Sequence, residues 1–273
     1  EQVTVLEDSE PHTVAPGVEV VGAPWTSKRP LYDLVGGVCG ELEVEPGVRR
    51  ILLAHGATDD LMAFDNPALV SVSCAEAAIE DGRIAFVGLG DRHSTTEVGS
   101  TGRIWYPGAP EPTDYDEQDP GNALVVELAA DGSTSVTPHH VGTWEFVYHS
   151  CTLDGPGTLD ELETWLAQRT DKDRTTVKLA LEGTSSLTED ARLRDLLERN
   201  RQLFAAIEEH ERLTDLVVRP DDDDFEDLSL SGFAQEALDT LRDAADDDDE
   251  EAEVARDALG LLVRFAAGGE DRA

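Results

Sequence analysis

RIAFVGLGDRHSTTEVG, residues 83–99, is the stretch on which the reading of the fold turns. An apolar run through Phe86 and Val87 has the character of a buried strand, and it passes through two glycines, Gly88 and Gly90, into a polar turn. Asp91 and His93 then stand two residues apart with Arg92 between them. An Asp-x-His pair at a strand end brings two metal-capable side chains close to one point.

Outward from that stretch, short β-rich runs divided by glycine and proline recur. VEVVGAP (18–24), RRILLAHG (49–56), RIAFVGLG (83–90), GRIWYPG (102–108), NALVVELAADGSTSVTPHHV (122–141) and WEFVYHS (144–150) each read as strand. The run at 122–141 predicts a hairpin turning at Asp131-Gly132. PLYDLVGGVCGEL and CAEAAIED supply helices between the early strands, although a glycine pair weakens the first. Residues 1–150 therefore read as one α/β domain that continues into antiparallel β structure.

The periodicity changes after Cys151. Thr158 and Glu161 have capping-box spacing, and Leu159, Leu162, Trp165 and Leu166 share one helical face. Val177, Leu179 and Leu181 alternate as a half-buried strand, residues 189–209 read as helix, and RLTDLVVRP closes a small α+β domain over 151–220. Residues 221–273 read as an acidic linker and helical tail. Leu230, Phe233, Ala237 and Leu241 form one apolar stripe; Val254, Ala258, Leu261, Leu262 and Phe265 form the other. The acidic runs at 221–224 and 246–251 precede and separate them.

With 21 basic and 59 acidic residues, the formal charge is −38. Lys28, Lys172 and Lys178 are the only lysines. This balance predicts a halophilic protein from molar salt, where the Debye length shrinks to about 3 Å, with a mesophilic acidic protein that repels nucleic acid as the alternative. The charge therefore reports habitat and does not by itself exclude a DNA substrate. Cys39, Cys74 and Cys151 form no C-x-x-C and read as small buried hydrophobes of a reducing compartment. No apolar run is long enough to span a membrane, so a cytoplasmic chain is expected, one whose natural start precedes Glu1.

His55 ends ILLAH much as Asp91 ends FVGLG, which places His55, Asp91 and His93 at the carboxyl ends of neighbouring strands, where open α/β sheets hold their sites. Imidazole and carboxylate together suit Mn²⁺, Fe²⁺ or Zn²⁺. On spacing alone a hydrogen-bonded turn histidine is the ordinary alternative to a ligand. Arg92 and Arg103, with Lys28 and Arg29, lie near strand ends and within reach of a phosphate, unless they are simply solvated. His139, His140 and His149 read as surface or packing residues, and Trp25 and Trp105 as core or groove walls.

The order ILLAHG, FVGLGDRH, GRIWYPGAPEPTDYDE and then a hairpin resembles the second half of a calcineurin-like metallophosphoesterase. More narrowly, it resembles the SbcD-type (Mre-eleven-like) DNA double-strand-break repair exonucleases. The resemblance implies the carboxyl half of a metallophosphoesterase β-sandwich flanked by helices, followed by a capping domain and a helical tail. His55 matches a late His-Gly ligand, His93 the second histidine of a G-H-x-H motif, and Gly90 its glycine. Asp91 stands where the first histidine is expected. Two Mn²⁺ ions, DNA as substrate and an SbcC-type ATPase as partner are implied, with homodimerisation open. The family's D-x-H, G-D and G-N-H-D/E motifs are expected upstream of Glu1, and His12, in EPHTVAPG, does not replace them. A non-catalytic scaffold docking the ATPase and a small-nucleotide phosphodiesterase are the alternatives.

Overall fold

The computed structural model describes residues 3–25, 27, 30–62, 66–129, 131–218, 232–245, 252, 254–255 and 258–262. The chain is of mixed α/β class and divides into two compact units, Glu1–Trp144 and Glu145–Ala273. The division falls before the strand that the sequence assigns to the first domain, not at 150, because that strand pairs within the second unit. Lys28, Arg29, Leu230, Phe265 and both acidic runs lie outside the described residues.

In the first unit, β1 (His12–Ala15), β2 (Val18–Ala23), β3 (Arg49–His55), β4 (Phe86–Gly90), β5 (Thr96–Val98) and β6 (Ile104–Tyr106) form a sheet of order β1-β2-β3-β4-β6-β5. β2, β3, β4 and β6 are mutually parallel, and the edge strands β1 and β5 are antiparallel to their neighbours. Two helices make the parallel crossovers possible: α1 (Leu34–Glu41) between β2 and β3, and α2 (Val72–Glu80) between β3 and β4. Asp33 holds both together, accepting from Gly36 N at the start of α1 and from Ser71 N just before α2. Asp59 accepts from Val72 N and so supplies the cap for α2 that Ser71 does not.

Because side chains alternate across a strand, one face of this sheet carries Val21, Leu52, Val87, Leu89, Ile104 and Tyr106, which pack with Val35, Val38, Ala75 and Ile79 of the helices. The opposite face carries the cross-strand row Gly22, Leu53, Gly88 and Trp105. There Leu53, in the middle of an interior parallel strand, remains 44% exposed. β7 (Asn122–Leu128) and β8 (Thr134–His140) form the expected hairpin, and Asp131 accepts from Ser133 N at its turn.

In the second unit, β9 (Glu145–Leu153), α3 (Pro156–Ala167) and β10 (Thr175–Ser185) make a parallel crossover, so β9 does not continue the antiparallel run. After α4 (Leu187–Arg201), β11 (Ala206–Glu209) and β12 (Asp215–Val218) pair in parallel with successive halves of the free edge of β10. The segment AIEE is therefore strand and not the end of a helix: α4 closes on Asn200, and Phe204 and Ile207 turn into the core. Leu159, Leu162 and Leu166 of α3 are buried as their spacing predicts. The Thr158–Glu161 capping box does not form. Gly155 and Pro156 open α3, and the capping box sits instead at Ser186–Glu189 on α4.

α5 (Phe233–Ala245) places Leu238, Leu241 and Ala245 against Leu187, Ala191, Leu259 and Leu262. The buried stripe is therefore displaced from the predicted one, and Phe233 is 86% exposed. The cysteines are free: Cys39 is buried with its pKa pushed up to about 11 by desolvation, Cys151 is half-buried, and Cys74 is exposed, contrary to expectation.

Candidate functional site

His55 and Gly90 are register partners at the carboxyl ends of β3 and β4. The His55 ring lies over Gly90 so closely that a β-carbon there would stand 2.7 Å from Nδ1, and glycine clears that space. The chain then turns sharply: Asp91 takes φ +105°, a left-handed conformation that a non-glycine residue holds at a cost of about 1–3 kcal/mol. This turn carries the Asp91 carboxylate back to His55, with Oδ1 3.6 Å from Nε2.

Two aromatic residues fix the ledge beneath the pair. Trp25 donates from Nε1 to the His55 carbonyl at 2.6 Å, and its ring meets the imidazole edge-on with centroids 5.0 Å apart. Tyr106 donates its hydroxyl to the Gly56 carbonyl at 2.6 Å. Burial pushes the Tyr106 pKa up to about 12, so the phenol stays protonated and keeps that bond. The His55 and Asp91 side chains themselves remain 53% and 42% exposed, open to a ligand.

His93 is held differently. Its Nδ1 bonds Glu117 Oε1 at 2.9 Å and Thr113 Oγ1 at 2.6 Å. Glu117 is nearly buried, and burial alone would raise its pKa. Hydrogen bonds from the Thr113 side chain and backbone and from His93, with the charge of His93, outweigh that and hold the carboxyl below the usual glutamate value. The loop after β6 is stitched to this turn by Ala109 N, which donates to the His93 carbonyl at 2.8 Å. Gly108, at φ +81°, permits the approach: a β-carbon there would lie 2.6 Å from the His93 carbonyl oxygen. Glu111, in the same loop, accepts from Trp144 N and Thr143 N, bonds that lower its pKa.

The structure thus brings His55 and Asp91 together and gives His93 a carboxylate partner of its own. Among the described residues, no group of three or more histidine, cysteine, aspartate or glutamate side chains is arranged to hold a metal ion. The His55–Asp91 pair nevertheless fits part of a coordination shell, since neighbouring donors about 2.1 Å from a tetrahedral ion lie about 3.4 Å apart. Arg92 shares the turn, its Nε donating to Thr96 Oγ1 at 2.7 Å. Arg103 does not share it: it precedes β6 at the opposite, amino end of the parallel strands, and donates to the Gly132 carbonyl of the hairpin. His139 and His140 lie exposed on β8, and His149 stacks on Trp165 at 3.9 Å.

Glu117 and Thr113 escaped the sequence reading, because PTDYDE offers several acids and nothing local marks which one turns inward. Trp25 was read only as a wall, although it sets the histidine. No protein-family model matches the chain, and no curated protein matches it in sequence. Among the described residues no helix is long and apolar enough to cross a membrane.

Proposed function

We propose that this chain is the carboxyl part of an SbcD-type metallophosphoesterase that hydrolyses DNA phosphodiester bonds with a pair of divalent ions, Mn²⁺ by preference. The observation that carries the reading is the His55–Asp91 pair at the carboxyl ends of two adjacent parallel strands, on a floor cleared by Gly90 and turned by the left-handed Asp91. The exposure of one side chain on the other sheet face supports it too. Parallel sheets are almost always covered on both faces, and a Leu53 left 44% exposed in an interior strand fits one layer of a sandwich.

In this reading His55 and Asp91 hold metal, and further ligands come from additional family motifs of the D-x-H, G-D and G-N-H-D/E kind, beyond the single Gly90-Asp91-Arg92-His93 run seen here. The ions would supply an activated water and neutralise the phosphate oxygens. Trp25 fixes the His55 ledge, Glu117 fixes the ring of His93, and Arg92, held to Thr96 through Nε, meets a phosphate with its remaining donors. The apolar side chains left exposed on the tail, Phe233, Val254 and Leu261, meet an SbcC-type ATPase. A non-catalytic scaffold that docks the ATPase is the second reading, favoured by the exposed apolar side chains of the tail, Phe233 above all.

DNA cleavage with Mn²⁺ in molar KCl tests the proposal. The chain alone should cleave nothing, and joining it to a polypeptide bearing the remaining motifs should restore cleavage that His55→Ala abolishes. Cleavage indifferent to both His55→Ala and Asp91→Ala would overturn it.

A further inference from the structure

At the amino ends of the same strands a second concave site opens, a pocket of about 160 Å³ between β3, the α2–β4 connection and the tip of the β7–β8 hairpin. Arg49 and Arg103 enter it from strand ends that flank β4. Arg49 donates from one terminal nitrogen to the Leu128 carbonyl at 2.8 Å, and Arg103 from one to the Gly132 carbonyl at 3.0 Å. Each guanidinium has five N–H donors, so a single bond leaves most of the fork unspent.

Among the described residues neither arginine has a carboxylate within ion-pair distance, in a chain with 59 acidic residues to choose from. Arg50, beside them, is the contrast: its guanidinium is consumed by Glu19, Glu45 and the Glu43 carbonyl. Thr134, also lining the pocket, keeps a solvent-inaccessible hydroxyl without a hydrogen-bond partner, an arrangement that folded proteins rarely leave unfilled. Ile79 and Ile84 make part of the wall apolar, which strengthens any charge interaction inside.

We propose that this pocket binds a phosphate group, held by the forks of Arg49 and Arg103 and by the Thr134 hydroxyl. Arginine pairs and a hydroxyl donor match the several oxygens of a tetrahedral oxyanion, and charge-assisted bonds of this kind are about twice as strong as neutral ones. The volume equals about five waters at ~30 Å³ each, enough for one such anion. The opposing influence is Asp131, whose carboxylate feels Arg49, although it is hydrogen-bonded by Ser133 N and Oγ. The site does not depend on the nuclease reading: Arg49 and His55 are the two ends of the seven-residue β3, roughly 20 Å apart at the rise of a strand.

Calorimetric titration of residues 1–273 with inorganic phosphate in molar KCl tests the assignment. The wild-type chain should bind one phosphate, Arg103→Gln should weaken binding by at least about tenfold, and Asp131→Asn should leave it equal or tighter. Thr134→Val keeps both guanidiniums and both hairpin bonds, so it reports on the pocket even if Arg103→Gln loosens the hairpin; binding should fall about threefold with an unchanged circular dichroism spectrum. Tighter binding of a short single-stranded DNA than of a nucleoside monophosphate would assign the phosphate to a nucleic-acid backbone, and equal binding to a free metabolite; either upholds the site. No phosphate binding by the wild type, or equal binding by wild type, Arg103→Gln and Thr134→Val, would overturn it.

Discussion

The Asp91 carboxylate reaches the His55 imidazole, 3.6 Å away, only because Asp91 adopts a left-handed backbone at φ +105°. Strained backbone of this kind costs about 1–3 kcal/mol and persists only where the surrounding structure over-determines it. Replacing Asp91 separates the two effects. Asp91→Gly should stabilise the first unit by about 1 kcal/mol, or leave it unchanged, because glycine accepts that φ freely, whereas Asp91→Ala should be about 1 kcal/mol less stable than Asp91→Gly. Thermal unfolding of the three chains measures this, and an alanine variant as stable as the glycine variant would show that the turn relaxes.

Gly90 is the second half of the same device. An added β-carbon at 2.7 Å from His55 Nδ1 must displace the ring, and the ring is exposed enough to swing out. Gly90→Ala should therefore fold with a loss of no more than about 1 kcal/mol while the imidazole leaves Trp25 and Asp91. The expected signature is a shifted set of His55 ring resonances. In the reconstituted protein, metal affinity should fall by about 10- to 100-fold, the usual penalty for losing ligand orientation. Unshifted resonances would mean that the backbone moves and the ledge is softer than its contacts indicate.

Glu117 predicts an acid limb in stability. A carboxyl whose folded pKa lies below its ordinary value of 4.5 contributes stability that is complete above that value and drains away as pH falls through the folded pKa. Glu117→Gln should thus be less stable than wild type at pH 7 by about 1 kcal/mol, and the difference should shrink toward zero in acid below the ordinary value. Chemical unfolding at a series of pH values is the measurement. Glu111, Glu76 and Asp131, all held low by backbone or side-chain hydrogen bonds, shape the same limb and remain in both chains.

What could be read from the residues was what local pattern encodes. The apolar runs ending in His55 and Gly90 gave two strands, and because both end at the same edge of a parallel sheet, the meeting of His55 and Asp91 was legible. The short edge strands HTVA and TEV were not, since neither has the apolar alternation that marks a strand. Parallel pairing of β9 with β10 is a long-range choice that their own sequences do not record. The phase of the α5 stripe escaped for a related reason: Leu238 is inside because α4 offers Leu187 and Ala191 opposite it, not because of its spacing from Phe233. Arg103 was misplaced because being near a strand end does not say which end.

The charge of −38 makes a last prediction, in which salt and core separate. Most ion pairs in the second unit are exposed, as with Arg192 between Asp160 and Glu163 at 46% side-chain exposure. In molar KCl, with a Debye length of about 3 Å, such pairs are screened and Arg192→Gln should cost less than about 0.5 kcal/mol. Leu52, fully buried between the sheet and its helices, should cost about 2–5 kcal/mol when cut to alanine. What salt does supply is relief from self-repulsion among the acidic side chains. On dialysis from molar KCl into dilute buffer the wild-type chain should therefore lose its helical and sheet circular dichroism, and restoring salt should bring it back. Equal stability in both buffers would mean that the acidic surface is tolerated without screening, and the molar-salt reading of the composition would fall.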